Sequence, residues 1–276
     1  MKLKAYVTGA DRGLGLALTE VLLKNNYKVY AGSYLSDWNA LDDLKKEYGD
    51  SLEIISLDVT EEQSVEEAAK IVKKDTDILD VLINNAGIIM NRSGNILEDL
   101  YFEDMRKMYE VNTLGPLKVT HSVIDILIKS DKKLLINISS EAGSIGDCWR
   151  EKEFGYSMSK SALNMQSAIL HNHLKRYGVK VLALHPGWLK SYMLGEKNME
   201  ANIEPDVSAE SIYRLFIASD ISKRNTENNQ DIEGQNKSVN TGNKDNIESI
   251  ENKENKSFKE EELAIYYDYL GNRLPW

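Results

Sequence analysis

Lys4-Ala5-Tyr6-Val7-Thr8-Gly9-Ala10-Asp11-Arg12-Gly13-Leu14-Gly15 decides the fold class of this 276-residue chain. A short apolar run of strand composition leads straight into a glycine cluster, and the cluster opens a segment with helical periodicity over 14–26. Glycines in that setting permit a tight turn, let backbone N–H groups approach a pyrophosphate, and bring helix and strand close together. The spacing is Gly-x3-Gly-x-Gly. It departs from the Gly-x-Gly-x-x-Gly dinucleotide fingerprint and lacks the terminal Lys-Ser/Thr of a phosphate loop. Alone such a cluster says little; between the first strand and the first helix of an alternating chain it is a dinucleotide-binding signal.

The alternation continues outward from that turn. Strand-like runs at 28–33, 52–57, 81–84, 134–139 and 180–185 are separated by helical candidates at 41–48, 61–74, 104–129 and 156–177. A further helix is predicted at 208–219. Thr60-Glu61-Glu62-Gln63 reads as a capping box at the start of the third helix. The pattern is that of an α/β doubly wound parallel sheet of Rossmann type with about seven strands, covered on both faces, in a single domain 1–276. From Lys223 to Ser257 the composition changes to nine Asn and four aliphatic residues with no aromatic. Such a stretch buries too little apolar surface to offset its ordering entropy and is expected to be a disordered insertion. Strand composition returns at 263–269.

Lys and Arg number 34 against 44 Asp and Glu, a net charge of −10. That balance offers no basic field for nucleic acid or an anionic membrane. No apolar stretch approaches the roughly 20 residues that span a bilayer, and a soluble, cytoplasmic protein is expected. Cys148 is the only cysteine, which excludes an internal disulfide and a multi-thiolate metal site.

Where the second strand ends, Ala31-Gly32-Ser33-Tyr34, there is neither the acid that accepts the ribose 2′-hydroxyl of NAD nor a base for the 2′-phosphate of NADP. Arg12 supplies a positive charge from the glycine turn, so NADP is the favoured cofactor. Asp37, a few residues on, keeps a ribose contact and hence NAD open. Tyr156 and Lys160 stand four apart in a run that leads into a helix. They share a face there, so a fixed ammonium beside the phenol would lower its pKa from about 10 and make Tyr156 a usable acid or base.

Taken together, these residues resemble the short-chain dehydrogenase/reductase family. The likeness extends through Asp58-Val59, Asn84-Asn85-Ala86-Gly87, Val111-Asn112, Ile136-Asn137-Ile138-Ser139-Ser140 and Pro186-Gly187. It covers Lys2 to about Ser219 and resumes at the last strand. Leu184-His185-Pro186-Gly187-Trp188-Leu189-Lys190 and the ending Leu274-Pro275-Trp276 look most like the branch with C-factor and the sniffer-type carbonyl reductases. The resemblance implies a catalytic set of Asn112, Ser140, Tyr156 and Lys160. Tyr156 would be the general acid in reduction and the base in oxidation. Lys160 would tune it and bond the nicotinamide ribose, Ser140 would polarise the carbonyl, and Asn112 would hold a water behind Lys160.

For the cofactor the resemblance implies Gly9, Arg12, Gly13, Leu14 and Gly15 around the phosphates, with Ser33 at the end of the second strand. Asp58 and Val59 would lie at the adenine, Asn85, Ala86 and Gly87 at the adjoining ribose, and Pro186 and Gly187 at the nicotinamide. Ser140 precedes Tyr156 by sixteen residues, about three more than is common in the family, which implies a longer loop through Cys148-Trp149-Arg150. His171 and His173 lie two apart and point to different sides of a helix, so they do not share a metal. His121 and His185 read as packed side chains. Trp149 and Trp188 flank the expected nicotinamide position, either as an aromatic substrate wall or as simple packing.

The implied activity is NADP(H)-dependent carbonyl reduction. An NAD-dependent secondary-alcohol dehydrogenase and a non-catalytic nucleotide-sensing protein are the alternatives. The expected partner is a small-molecule carbonyl substrate, with no nucleic acid and no membrane. Pairing through the long helices 104–129 and 156–177 would give a homodimer or homotetramer.

Overall fold

Strand β1 (Lys4–Thr8) sends alternate side chains into two different cores, because successive residues of a strand face opposite sides of the sheet. Ala5 and Val7 pack with Val29 and Ala31 of β2 (Lys28–Ser33) and with Leu18 and Leu22 of α1 (Gly13–Lys24). Tyr6 and Tyr30 face the other way, toward Val65 and Val72 of α3 (Glu62–Asp75). Both faces are therefore apolar, and the strands read as continuous hydrophobic runs. Each fully buried Leu, Ile or Val in these layers contributes about 1.5–3 kcal/mol.

The computed structural model describes residues 2–35, 38–90, 92, 94–193, 195–218 and 265–276. The remaining elements are α2 (Ala40–Tyr48), β3 (Leu52–Ser56), β4 (Val81–Asn84), α4 (Phe102–Tyr109), α5 (Gly115–Leu127), β5 (Leu134–Ile138), α6 (Phe154–Leu174), β6 (Lys180–His185), α7 (Pro205–Ile212) and β7 (Tyr266–Asp268). Seven strands form one all-parallel sheet in the order β3-β2-β1-β4-β5-β6-β7. Side chains of α1 and α7 lie in the first core, and those of α3, α5 and the end of α6 in the second. The strand order reverses between β1 and β4, and a crevice opens there at the carboxyl ends of the strands, where ligands bind in open α/β sheets.

The doubly wound expectation holds, with three local differences. Glu61, not Thr60, precedes the first turn of α3, and no capping box forms: the Thr60 hydroxyl donates to Asp58 Oδ1 at 2.7 Å. The predicted helix 104–129 is two helices, α4 and α5, joined by a π-helical turn at Glu110–Leu114. The fifth strand stops at Ile138, so Ser139 and Ser140 lie just beyond its end. Asp37 and the 223–257 segment lie outside the described residues.

Candidate active site

The glycine turn is built by contacts that admit no side chain. Gly9 has φ 61° and Gly13 φ 54°, both in the left-handed region that favours glycine. A Cβ on Gly15 would stand 2.0 Å from the Gly9 carbonyl oxygen, and one on Gly9 would stand 2.9 Å from Ala86 Cα. Asn85 locks this arrangement: its carboxamide donates to the carbonyls of Thr8 and Gly9, both at 3.0 Å. The Thr8 hydroxyl in turn accepts from the backbone N–H groups of Asn85 and Ala86. The loop after β1 and the loop after β4 are thus one unit across the strand-order reversal.

Around that turn, Leu14 is buried and the Arg12 guanidinium lies 5.4 Å from the centre of the Trp38 ring. Trp38 meets Tyr192 edge-on at 4.8 Å, which ties the β2 side to the loop after β6. The Ser33 hydroxyl donates to the Leu35 carbonyl at 3.1 Å. Asp11, inside the glycine turn, accepts from the Tyr34 N–H at 3.3 Å. Asp58 spends one carboxylate oxygen on Thr60, and Val59 packs where a Cβ on Gly115 would fall. Pro186 accepts at its carbonyl from the Ser208 hydroxyl at 2.7 Å, and Gly187 adopts φ 87°.

Tyr156 and Lys160 sit on α6, as their spacing requires. Lys160 is 3% exposed; its ammonium donates to the Ile138 carbonyl at 2.8 Å and lies 5.8 Å from the centre of the Tyr156 ring. Burial pulls the lysine down to about 8. Burial also pushes the half-buried Tyr156 phenol up to about 12; the hydrogen bond with Ser140 opposes that rise, Glu141 and Glu153 add to it, and Arg150 offsets it. The lowering expected from a neighbouring cation is therefore outweighed by desolvation in this arrangement.

The two adjacent serines have separate tasks. Ser139 donates to Asn164 Oδ1 on α6 at 2.6 Å, whereas the Ser140 hydroxyl faces the phenol and caps Ala142 N–H at 3.2 Å. Asn112 lies in the π-helical turn, a local geometry often found at functional sites. Its carboxamide pairs with both backbone groups of Ile88 and with Ser159 on α6. A Cβ on Gly87 would fall 3.3 Å from Asn112 Oδ1 and 3.6 Å from Lys160 Nζ. Glycine turn, Gly87, Asn112, Ser140, Tyr156 and Lys160 therefore converge at one end of the sheet.

Beside Tyr156 lies a recess of about 110 Å³, lined by Ile89, Met90, Met105, Met108 and Phe154 among others. A larger one of about 510 Å³ lies at the opposite ends of the strands, against Lys4, Asp80 and Lys180, and touches none of the predicted site residues. Sequence reasoning missed three supports of the site. The Arg150 guanidinium joins Glu141 to Glu153; the Tyr266 hydroxyl donates to the Ser140 carbonyl; and the Gly146 N–H donates to the Trp276 carbonyl at 2.7 Å. All three link residues far apart in the chain or across an irregular loop, where no periodicity marks them. Among the described residues no helix is long and apolar enough to cross a membrane, and no group of three His, Cys, Asp or Glu is placed to hold a metal.

A sequence model of the family described as short chain dehydrogenase matches residues 4–202. Estradiol 17-beta-dehydrogenase 2 of Mus musculus is 30% identical over 204 residues, covering 73% of this chain and 52% of that protein. The chain thus spans about half the length of this relative and of its Rattus norvegicus counterpart. Among solved structures, an NADPH-bound carbonyl reductase from chicken fatty liver superposes with a TM-score of 0.76 at 25% identity over the full length of both chains. The carbonyl reductase Sniffer of D. melanogaster gives the same TM-score and coverage at 22% identity, a likeness of fold.

Proposed function

Since the chain belongs to the short-chain dehydrogenase family, we propose that it is an NADP(H)-dependent reductase of a small or medium-sized carbonyl compound, with Tyr156 as its general acid. The observation that carries this reading is the convergence of the Tyr156 phenol, the Ser140 hydroxyl and the buried Lys160 ammonium at the end of the sheet that bears the glycine turn. A Cβ on Gly13 would meet only Ser191 Cβ, at 3.9 Å, so this glycine is the least crowded of the turn. When bound there, the nicotinamide cofactor supplies the hydride in reduction and accepts it in oxidation.

This chain's own residues do the rest. Gly9, Gly13, Leu14 and Gly15 shape the turn that receives the phosphates, with the positive end of α1 behind them. Arg12 meets the 2′-phosphate, and the Asp11 carboxylate at the end of β2 is engaged by the Tyr34 N–H; Ser33 stands at the same strand end. Asp58 and Val59 wall the adenine, and Asn85, Ala86 and Gly87 line the ribose beyond. Pro186 and Gly187 close the nicotinamide end. Ser140 donates to the substrate oxygen and orients it. As the carbonyl oxygen gains negative charge, the Tyr156 O–H bond breaks and its proton passes to that oxygen; in oxidation the phenolate takes the proton back. Lys160, still an ammonium at neutral pH although burial pulls it down to about 8, compensates the charge left on Tyr156, and Asn112 anchors a water that replenishes the proton.

The recess beside Tyr156, with Met90, Met105, Met108 and Phe154 on its walls and Arg92 and Glu153 among them, suits a substrate that carries both an apolar and a polar group. The test follows nicotinamide absorbance with NADPH and NADH side by side against a panel of aromatic and aliphatic carbonyls. NADPH is expected to be the better reductant, and Tyr156→Phe to lower kcat by about 10²- to 10⁴-fold while still binding cofactor. Equal or better rates with NADH would remove the NADP assignment; an active Tyr156→Phe would remove the mechanism.

A further inference from the structure

We propose that Arg150 is a positioning residue that clamps Glu141 to Glu153 and so holds the Ser140 hydroxyl and the Tyr156 phenol at a fixed separation across the long loop between them. The inference rests on the reading of Tyr156 and Ser140 as the reacting pair. Its starting point is a geometric problem. Tyr156 lies sixteen positions after Ser140, and the loop joining them is largely irregular, with Ile145 and Trp149 exposed at 78% and 75%. Tyr266 and Trp276 tie the first half of the loop, at Ser140 and Gly146, and its second half lies beyond those ties; an untied stretch samples many end-to-end separations.

Arg150 supplies the restraint. Its Nη1 and Nη2 donate to the two carboxylate oxygens of Glu141 at 2.8 and 2.7 Å, a bidentate pair. Nε donates to Glu153 at 3.1 Å, and the guanidinium lies 4.7 Å from the centre of the Trp149 ring. Glu141 follows Ser140 directly, and Glu153 stands three residues before Tyr156 at the left-handed residue that begins α6, φ 67°. One cation thereby closes the loop from both ends. Exposed ion pairs contribute little, but this arginine side chain is 12% exposed and serves two carboxylates, so the usual discount for surface pairs is smaller here.

The same clamp sets the charge around the phenol. Glu141 and Glu153 face Tyr156 from the two ends of the loop, Arg150 from its middle and Lys160 from the next turn of α6; His185 of β6 and Tyr266 of β7 lie on the Glu141 side, and Arg92, paired to Asp104 of α4, lines the adjacent recess. Removing Arg150 leaves two carboxylates unopposed beside the phenol, whereas removing either carboxylate does the reverse. A purely structural contact would not reverse the sign of its effect with the charge removed.

The test compares the full-length protein with Arg150→Met, Arg150→Lys, Glu141→Gln and Glu153→Gln, reducing an activated aromatic aldehyde with NADPH from pH 5 up to the alkaline limit of the folded protein, beyond pH 10, where the rise of the limb is followed. Arg150→Met is expected to lower kcat about tenfold to a hundredfold, the size of a small misplacement of reacting groups. The NADPH dissociation constant should stay within about twofold, because Arg150 makes no contact with the glycine turn. The alkaline limb of kcat should move to higher pH in Arg150→Met and to lower pH in Glu141→Gln, and Arg150→Lys should recover part of kcat. Backbone hydrogen exchange across 143–153 in the cofactor-free protein should accelerate in Arg150→Met and Glu153→Gln. An inactive Tyr156→Phe beside an Arg150→Met protein with parental kcat, limb and exchange overturns the clamp alone. A fully active Tyr156→Phe overturns the acid–base reading and the clamp's catalytic role with it. Should Arg150→Met fail to fold, the limb shift of Glu141→Gln decides: no shift, or a shift upward, overturns the proposal.

Discussion

An ammonium taken out of water raises the free energy of the folded chain, and Lys160 carries that cost at the centre of the site. Its folded pKa, about 8, lies below the unfolded value of 10.5. Below pH 8 the lysine is charged in both states and the penalty is fully present. Between pH 8 and about 10.5 the unfolded chain binds more protons, so stability from this group rises with pH. Lys160→Met should therefore stabilise the cofactor-free protein at pH 7 on the order of 2 kcal/mol, once the lost bond to Ile138 is set against the shift. The advantage should shrink as pH rises through 8 toward 10, read by urea unfolding at pH 7 and 9.5; a pH-independent difference would contradict the assignment. The neighbouring serines give a second contrast. Ser139→Ala should cost about 1 kcal/mol of stability with kcat retained. Ser140→Ala, which loses a comparable cap, should lower kcat about a hundredfold. Parental kcat in Ser140→Ala would move the carbonyl-orienting role elsewhere.

Elements respond to substitutions in ways the residue type alone does not reveal, as the glycine turn shows. Gly13→Ala makes only an ordinary contact with Ser191 Cβ, at 3.9 Å, and costs mainly the left-handed backbone, about 1 kcal/mol. Gly15→Ala is different in kind: its methyl would sit 2.0 Å from the Gly9 carbonyl, forcing the loop after β1 away from the helix. Overpacking of this kind costs roughly 1–3 kcal/mol, and NADPH binding should be lost with it. Thermal unfolding and cofactor fluorescence titration check both; a Gly15→Ala protein that binds NADPH as the parent does would sink the argument. The sequence marks these glycines because a strand, a turn and a helix follow one another locally. It gives no sign of the π-helical turn at Glu110–Leu114 within the helical run after β4, since apolar periodicity runs through it. That turn is held by bonds from Asn112 to the Ser159 hydroxyl and from Thr113 to the Ser159 carbonyl, contacts that exist only after α6 has packed.

At the scale of the molecule, α6 is two-sided. Lys160, Leu163 and Ser167 face the sheet, while Met158, Met165 and Ile169 are exposed at 55%, 63% and 60% on one stripe at spacings of seven and four. Tyr109 of α4 and Leu117 of α5 are exposed as well. Apolar surface of that extent on a helical face is the kind that associates, and the chain is expected to form a homodimer or homotetramer through it. Light scattering on eluting peaks should show a dimer or larger for the parent and a monomer for Met165→Glu with Ile169→Lys. A monomeric parent would remove this expectation.

The order of strands and helices, the dinucleotide turn and the Tyr156–Lys160 pair are all determined within short spans of chain, because strand period, helix period and turn chemistry are local properties of neighbouring residues. Which serine faces the phenol, which way the lysine points, and what braces the loop between them are decided at a distance. Asn164, Tyr266 and Trp276 reach that loop from helix, strand and chain end, and Arg150 closes it on itself. Burial, too, belongs to the assembled fold: it raises the Tyr156 phenol and lowers the Lys160 ammonium against the simple expectation for an exposed pair, because desolvation depends on everything packed around a group and not on its place in the chain.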